Sequence, residues 1–300
     1  MKKLFAILLS TALLLCACGK KTDDKKTATD TDTDTSIEMP STDSVVDNGE
    51  IDTQTATEPD ILPANASLLD EIEKLSREKI GYGCGIDVDE NNRSVGAQMM
   101  QSDYGEYDAY FISEPDNCIY LTFDEGYENG YTSQILDVLK QKGVTATFFV
   151  TLDYAEKNGD LIKRMIDGGH TVGNHTVNHP SMPTLSVSEM QDEINGLGSY
   201  IKEKFGYEMS TFRPPMGEFS EQSLAVTKSL GYKSVFWSFA YKDWLTDDQP
   251  NPDEAYERVI KATHDGAIYL LHAVSSTNTS ILGAVIDYWK SMGYTVKAFS

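Results

Sequence analysis

The sequence predicts an α/β fold, a parallel sheet flanked by helices that is either open or closed into a barrel. Beyond residue 115, runs rich in β-branched and aromatic residues alternate with helical stretches, the signature of successive βα units. Forty per cent of the 300 residues are hydrophobic, enough for a sizeable core. Charged residues and histidines gather where the strand-like runs end, which is where such folds place their chemistry.

In chain order, the first segment is two lysines, the apolar run "LFAILLSTALLL" and then "CACGKK". It is too short for a membrane span and has the flanks of an export signal. Leu15-Cys16-Ala17-Cys18 resembles the bacterial lipobox, which makes residues 1–18 a lipoprotein signal and implies cleavage that leaves a lipidated Cys18 as the new N-terminus. From residue 19 to about Pro63 the chain is Thr, Asp, Ser and Glu with little to bury, so a flexible acidic tether is expected. The net charge of −22 excludes nucleic acid, whose binding needs clustered Lys and Arg. Only Cys84 and Cys118 remain outside the signal, with no Cys-x-x-Cys spacing, and they point to neither bridge nor metal.

The strand-like runs are "CIYLTFD", "ATFFV", "TVGNH", "TFRPP", "KSVFWS", "AIYLLH" and "YTVKAF". The helical stretches between them include Thr132–Lys142, Ser186–Phe205, Ser220–Leu230, Asp253–Thr263 and Ser280–Met292. Asp124 and Glu125 then close the first strand, His175 follows the third, Arg213 ends the fourth, Asp243 follows the fifth and His272 closes the sixth. All should meet on one rim. Three of the chain's five histidines (His175, His179 and His272) fall at such places. His175 and His179 are four apart, so one helical turn would aim both imidazoles at a single divalent ion, with a carboxylate as third ligand. Taken singly, each residue also has a structural role open to it: Asp243 as a helix cap, Arg213 in a surface ion pair, His272 as a core histidine.

"TFDEG", "HTVNH", "RPPMG", "DW" and "LLH" occur in this order between Cys118 and Phe299. They resemble the five motifs of the polysaccharide deacetylases of NodB-homology type, carbohydrate esterase family 4. "YLTFDEGYENGYT", "NHPSMP", "FRPPMGEFSE" and "VFWSFAYKDW" are most similar to the PdaA-like peptidoglycan N-acetylmuramic acid deacetylases within it. That subgroup also carries a short N-terminal segment like "GYGCGIDVDENNRSVGAQ".

The resemblance implies a distorted (β/α) barrel of about seven parallel strands over residues 116–300, with residues 64–115 as a small segment packed on it. It implies Asp124 as general base, Arg213 as its partner, His272 as general acid and Asp243 as the residue that fixes its tautomer. His175, His179 and Glu125 would hold a divalent metal, Zn with Co or Mn as alternatives. Leu270 and Trp244, with Pro214 and Pro215, would contact substrate. Two departures stand out: Glu125 where the family has aspartate or the subgroup asparagine, and Met216 where the subgroup has arginine.

The expected activity is removal of acetyl groups from N-acetyl amino sugars of cell-wall glycan, N-acetylmuramic acid of peptidoglycan foremost. The expected setting is a monomer, extracytoplasmic and held to the membrane by its lipid alone. Chitin-like or exopolysaccharide N-acetylglucosamine is the alternative substrate. A glycan-binding lipoprotein weakened in catalysis through Glu125 is the alternative class.

Overall fold

The computed structural model describes residues 63–300. Cys18 and nearly all of the acidic tether lie outside the described residues.

The seven strand-like runs form β3 (Cys118–Glu125), β4 (Thr147–Val150), β5 (Thr171–Asn174), β6 (Thr211–Phe212), β8 (Lys233–Val235), β9 (Ala267–His272) and β10 (Thr295–Lys297). An eighth strand, β2 (Ala109–Tyr110), comes from the N-terminal segment and pairs with β8. Every pairing in this sheet is parallel, in the order β10-β3-β4-β5-β6-β8-β2, with β9 also on β3. Beyond β8, the Ser238 N–H donates to the Ile268 carbonyl, and the Leu270 N–H donates to the Phe239 carbonyl. These bonds curl the sheet back onto β9, giving the distorted barrel. Phe149, Val235, Ile268 and Phe299 fill its interior. Alternate residues such as Phe148 and Phe212 face outward, into the larger core under the helices.

The helices follow local rules. In α3 (Thr132–Lys142) Ile135, Leu136 and Leu139 face the core, and Gly143 ends it at φ 61°, a left-handed turn that suits glycine. A capping box of Ser186 and Glu189 opens α6 (Val187–Phe205), which buries Met190, Ile194, Leu197 and Ile201. Then α7 (Glu221–Ser229), α8 (Pro252–Lys261) and α9 (Ser276–Ser291) match the remaining helical stretches. Within residues 116–300 two further helices occur, α4 (Leu152–Lys157) and α5 (Gly159–Asp167). Each is short, and the Asn158-Gly159 junction breaks the apolar period between them.

The N-terminal segment contributes α1 (Pro63–Ile72), β1 (Ile80–Gly81) and α2 (Val95–Tyr104), and β1 pairs antiparallel with β7 (Glu218–Phe219). Tyr82, Phe111, Phe219, Phe236 and Trp237 join in a second apolar cluster that fastens it to the barrel. Cys84 and Cys118 are both free thiols. Among the described residues no helix is long and apolar enough to cross a membrane.

Candidate active site

Strand register brings the first two groups together. β3 and β9 are neighbours, and Asp124 is paired with His272 across them. Two parallel strands lie only ~5 Å apart, so a residue ending one and a residue ending the other must share the same rim.

Each of these groups has its own clamp. Arg213, fully buried at the end of β6, donates from Nη1 to Asp124 Oδ1 at 2.8 Å. Its Nε and Nη2 donate to the Val235 and Phe236 carbonyls, both at 2.9 Å. The guanidinium lies 4.2 Å above the Phe149 ring. Gly173 makes room for that ring, since a Cβ there would sit 2.4 Å from it. Burial alone would raise the Asp124 carboxyl, but the Arg213 charge, followed by His175 and His272, outweighs it and holds the pKa below the usual carboxylate range.

His272 is held the other way. Its Nδ1–H donates to Asp243 Oδ1 at 2.7 Å and its backbone N–H to Asp243 Oδ2 at 2.8 Å. That fixes the tautomer and leaves Nε2 for the cleft. Burial disfavours the charged ring, yet the Asp243 hydrogen bond and charge, with Asp124 beyond, raise its pKa above the ordinary histidine value. Base and acid are therefore driven toward complementary protonation states.

His175 and His179 present Nε2 atoms 3.1 Å apart, and Asp124 Oδ2 lies 3.7 Å from His175 Nε2. The convergence has a different origin from the expected helical turn. Thr176 and His179 both adopt left-handed backbone, φ 73° and 57°, in a loop after β5. The Thr176 N–H donates to Asn174 Oδ1, and the His179 N–H donates to Thr176 Oγ1, which offsets that strain. His175 Nδ1–H donates to the Arg213 carbonyl at 2.7 Å, so its Nε2 offers a lone pair. Burial pushes the His175 pKa down to about 4 and lowers that of His179, keeping both rings neutral. Two neutral imidazoles aimed at one point, one with its far nitrogen anchored, are donors that fit a divalent cation.

These groups open into a cleft of about 800 Å³ lined by Asp124, His175, His179, His272, Leu270 and Trp244, among others. A polysaccharide deacetylase family model matches residues 112–235. The peptidoglycan-N-acetylmuramic acid deacetylase PdaA of Bacillus subtilis is 42% identical over 230 residues, 76% of this chain and 87% of that one. The chain belongs to the polysaccharide deacetylase family. The solved structure of B. subtilis PdaA, a family 4 carbohydrate esterase, covers 75% of this chain and 96% of its own with a TM-score of 0.71 at 42% identity. A family 4 carbohydrate esterase from Bacillus anthracis covers 75% of this chain and 95% of its own with a TM-score of 0.61 at 36% identity.

Within the deacetylase, three expected residues are placed elsewhere than foreseen. Glu125 does not join the histidine pair. Successive strand residues point to opposite faces, so with Asp124 in the cleft Glu125 turns toward α3. It is fully buried, with both carboxyl oxygens 3.3 Å from Thr132 Oγ1. Burial, then the charge of Glu128 and that of Asp124, raise its pKa well above the usual range against the Thr132 hydrogen bond, which favours the protonated acid over a second anion. Among the described residues no three His, Cys, Asp or Glu side chains form a ligand group. Pro214 and Pro215 are buried behind the cleft and deliver Met216, which is 54% exposed and forms part of its wall.

Glu125→Gln, which keeps the shape of the side chain, is expected to leave metal affinity in place. Losing even an outer-shell partner of a metal costs ~10- to 100-fold in affinity. Zinc titration of the two proteins checks this, and a drop of that size would return Glu125 to the ligand set.

Several positions at or behind the cleft escaped the sequence. Tyr127, Trp237, Tyr241 and Lys242 line the cleft without belonging to any strand-end pattern. Asn278 contacts both Asp243 and His272 from the first turn of α9, where it reads in sequence as an ordinary capping residue.

Proposed function

We propose that this chain hydrolyses the N-acetyl group of amino sugars in peptidoglycan, N-acetylmuramic acid foremost, releasing acetate and leaving a free amine on the glycan. The observation that carries this is the pair of clamped, oppositely tuned groups facing one cleft: Asp124 held by Arg213 at 2.8 Å and His272 held by Asp243 at 2.7 Å. Amide hydrolysis needs that pair, because water must lose a proton as it attacks and the amine must gain one as it leaves. The name of the relative PdaA supports the muramic acid substrate.

In this mechanism Asp124 accepts the proton of the attacking water, and Arg213 keeps it ionised until then. The C–N bond breaks as His272 Nε2–H protonates the departing nitrogen, with Asp243 keeping the ring in place. Leu270, 5% exposed, and Trp244, packed edge-on to the His272 ring at 5.5 Å, shape the end of the cleft for the acetyl methyl. His175 and His179 would hold a divalent metal, zinc rather than cobalt or manganese, whose charge acidifies water and stabilises the oxyanion. The lipobox resemblance at Cys18 supports tethering to the outer face of the cell membrane, within reach of glycan.

The test is incubation of the purified, metal-loaded protein with defined muropeptides and with N-acetylglucosamine oligomers. The expected result is loss of acetyl from muramic acid units, located by mass. Loss from N-acetylglucosamine alone would move the substrate to the alternative glycans, and no acetate from either would overturn the enzymatic reading.

A further inference from the structure

We infer that Asn278 is a positioning residue for the general acid, acting through Asp243, and that Tyr241 sets the direction in which it acts. This rests on the assignment of His272 as acid.

Asn278 is 1% exposed, and all its side-chain bonds go to this one assembly. Its Nδ2 donates to Asp243 Oδ2 at 2.5 Å and to the His272 carbonyl at 3.3 Å. Its Oδ1 accepts from the Tyr241 hydroxyl. Together these contacts settle which way the amide faces. The reverse orientation would set Oδ1 against the Asp243 carboxylate, and the Tyr241 hydroxyl against a second donor.

Asp243 is 1% exposed, and its Oδ1 is taken up by His272 Nδ1–H. Oδ2 accepts from only two groups, the His272 backbone N–H and the Asn278 amide. A carboxylate this buried is held in place by the donors that fill its acceptor sites. Removing the Asn278 donor leaves Oδ2 with the His272 backbone N–H alone, which loosens the carboxylate that holds the His272 ring. The backbone supports the same arrangement. Ser275 caps α9 by accepting the Asn278 N–H at 3.1 Å, so the helix start itself aims this side chain. Asn278 is not itself part of the cleft lining and does not touch the histidine pair, and it reaches the cleft through Asp243, His272 and the Tyr241 hydroxyl.

Leaving-group dependence tests this. A sugar amine must be protonated to depart, whereas a nitrophenolate leaves an aryl acetate unaided. Asn278→Ala is expected to lower kcat on acetylated glycan at least ~10-fold, part of the ~100- to 10,000-fold a general acid supplies. KM should hold, and 4-nitrophenyl acetate hydrolysis should continue near the wild-type rate. Tyr241→Phe, which keeps the packing and removes only the hydroxyl, should show the same selectivity with a smaller loss. A second readout needs no substrate: the His272 Nδ1 proton, held downfield in the NMR spectrum by Asp243, should shift or broaden in both variants. Equal losses on amide and ester, or an Nδ1 signal unchanged in both, would overturn the inference. If Asn278→Ala does not fold, Tyr241→Phe decides it. Failure of the substrate assignment looks different: the wild type would release no acetate from glycan while the Nδ1 signature still responded to the two substitutions.

Discussion

Asp124→Asn is expected to lower turnover ~100- to 10,000-fold, on glycan and aryl acetate alike, because both need an activated water. Asparagine keeps an oxygen for Arg213 Nη1 and nearly the same volume, so the fold should persist. The variant loses only the ability to take up a proton. In the wild type, rate should fall on the alkaline side as His272 deprotonates, and its raised pKa carries that limb above the range of an ordinary histidine. The lowered pKa of Asp124 sets the acid limb at low pH, where protonation removes the base. Steady-state kinetics with both substrates checks the assignment. A variant that retains the wild-type rate would place the base elsewhere, and one that loses only the amide reaction would make Asp124 a partner of the acid.

The rim was legible in the sequence because each strand run stops at a polar residue, and parallel strands must end at the same face. Asp124 and His272 were found in this way, and their cross-strand pairing follows from β3 and β9 being neighbours. Glu125 was misplaced although the two-residue period of a strand puts adjacent side chains on opposite faces. Two neighbouring carboxylates invited one explanation for both. The loop that turns His179 back onto His175 was hidden for another reason. It uses left-handed backbone at Thr176 and His179, with no glycine or asparagine there to announce it. Asn278 was out of reach of local pattern altogether. Its meaning lies in contacts 35 residues away with Asp243 and 37 away with Tyr241, which only the closed barrel creates.

Arg213→Met should have the largest effect on stability, and its pH dependence reveals the cause. Arg213 is fully buried, and it serves one carboxylate, two carbonyls and an aromatic face. Removing one partner of a buried pair typically costs ~3–5 kcal/mol, because the other charge is left without compensation. In the wild type the pKa of Asp124 lies below its unfolded value, so its contribution is present above that value and is lost as pH falls through the folded pKa. In the variant the largest opposing influence, burial, is no longer outweighed. The folded pKa then rises above the unfolded one, and stability is lost as pH rises instead. The deficit relative to wild type should therefore be greatest near neutrality and shrink toward about pH 4, where Asp124 takes up a proton. Denaturant unfolding of both proteins at the two pH values measures it. A deficit that stays constant would assign the cost to the orphaned Val235 and Phe236 carbonyls and the uncovered Phe149 ring. Arg213 would then be a strut of the barrel first and the keeper of the base second.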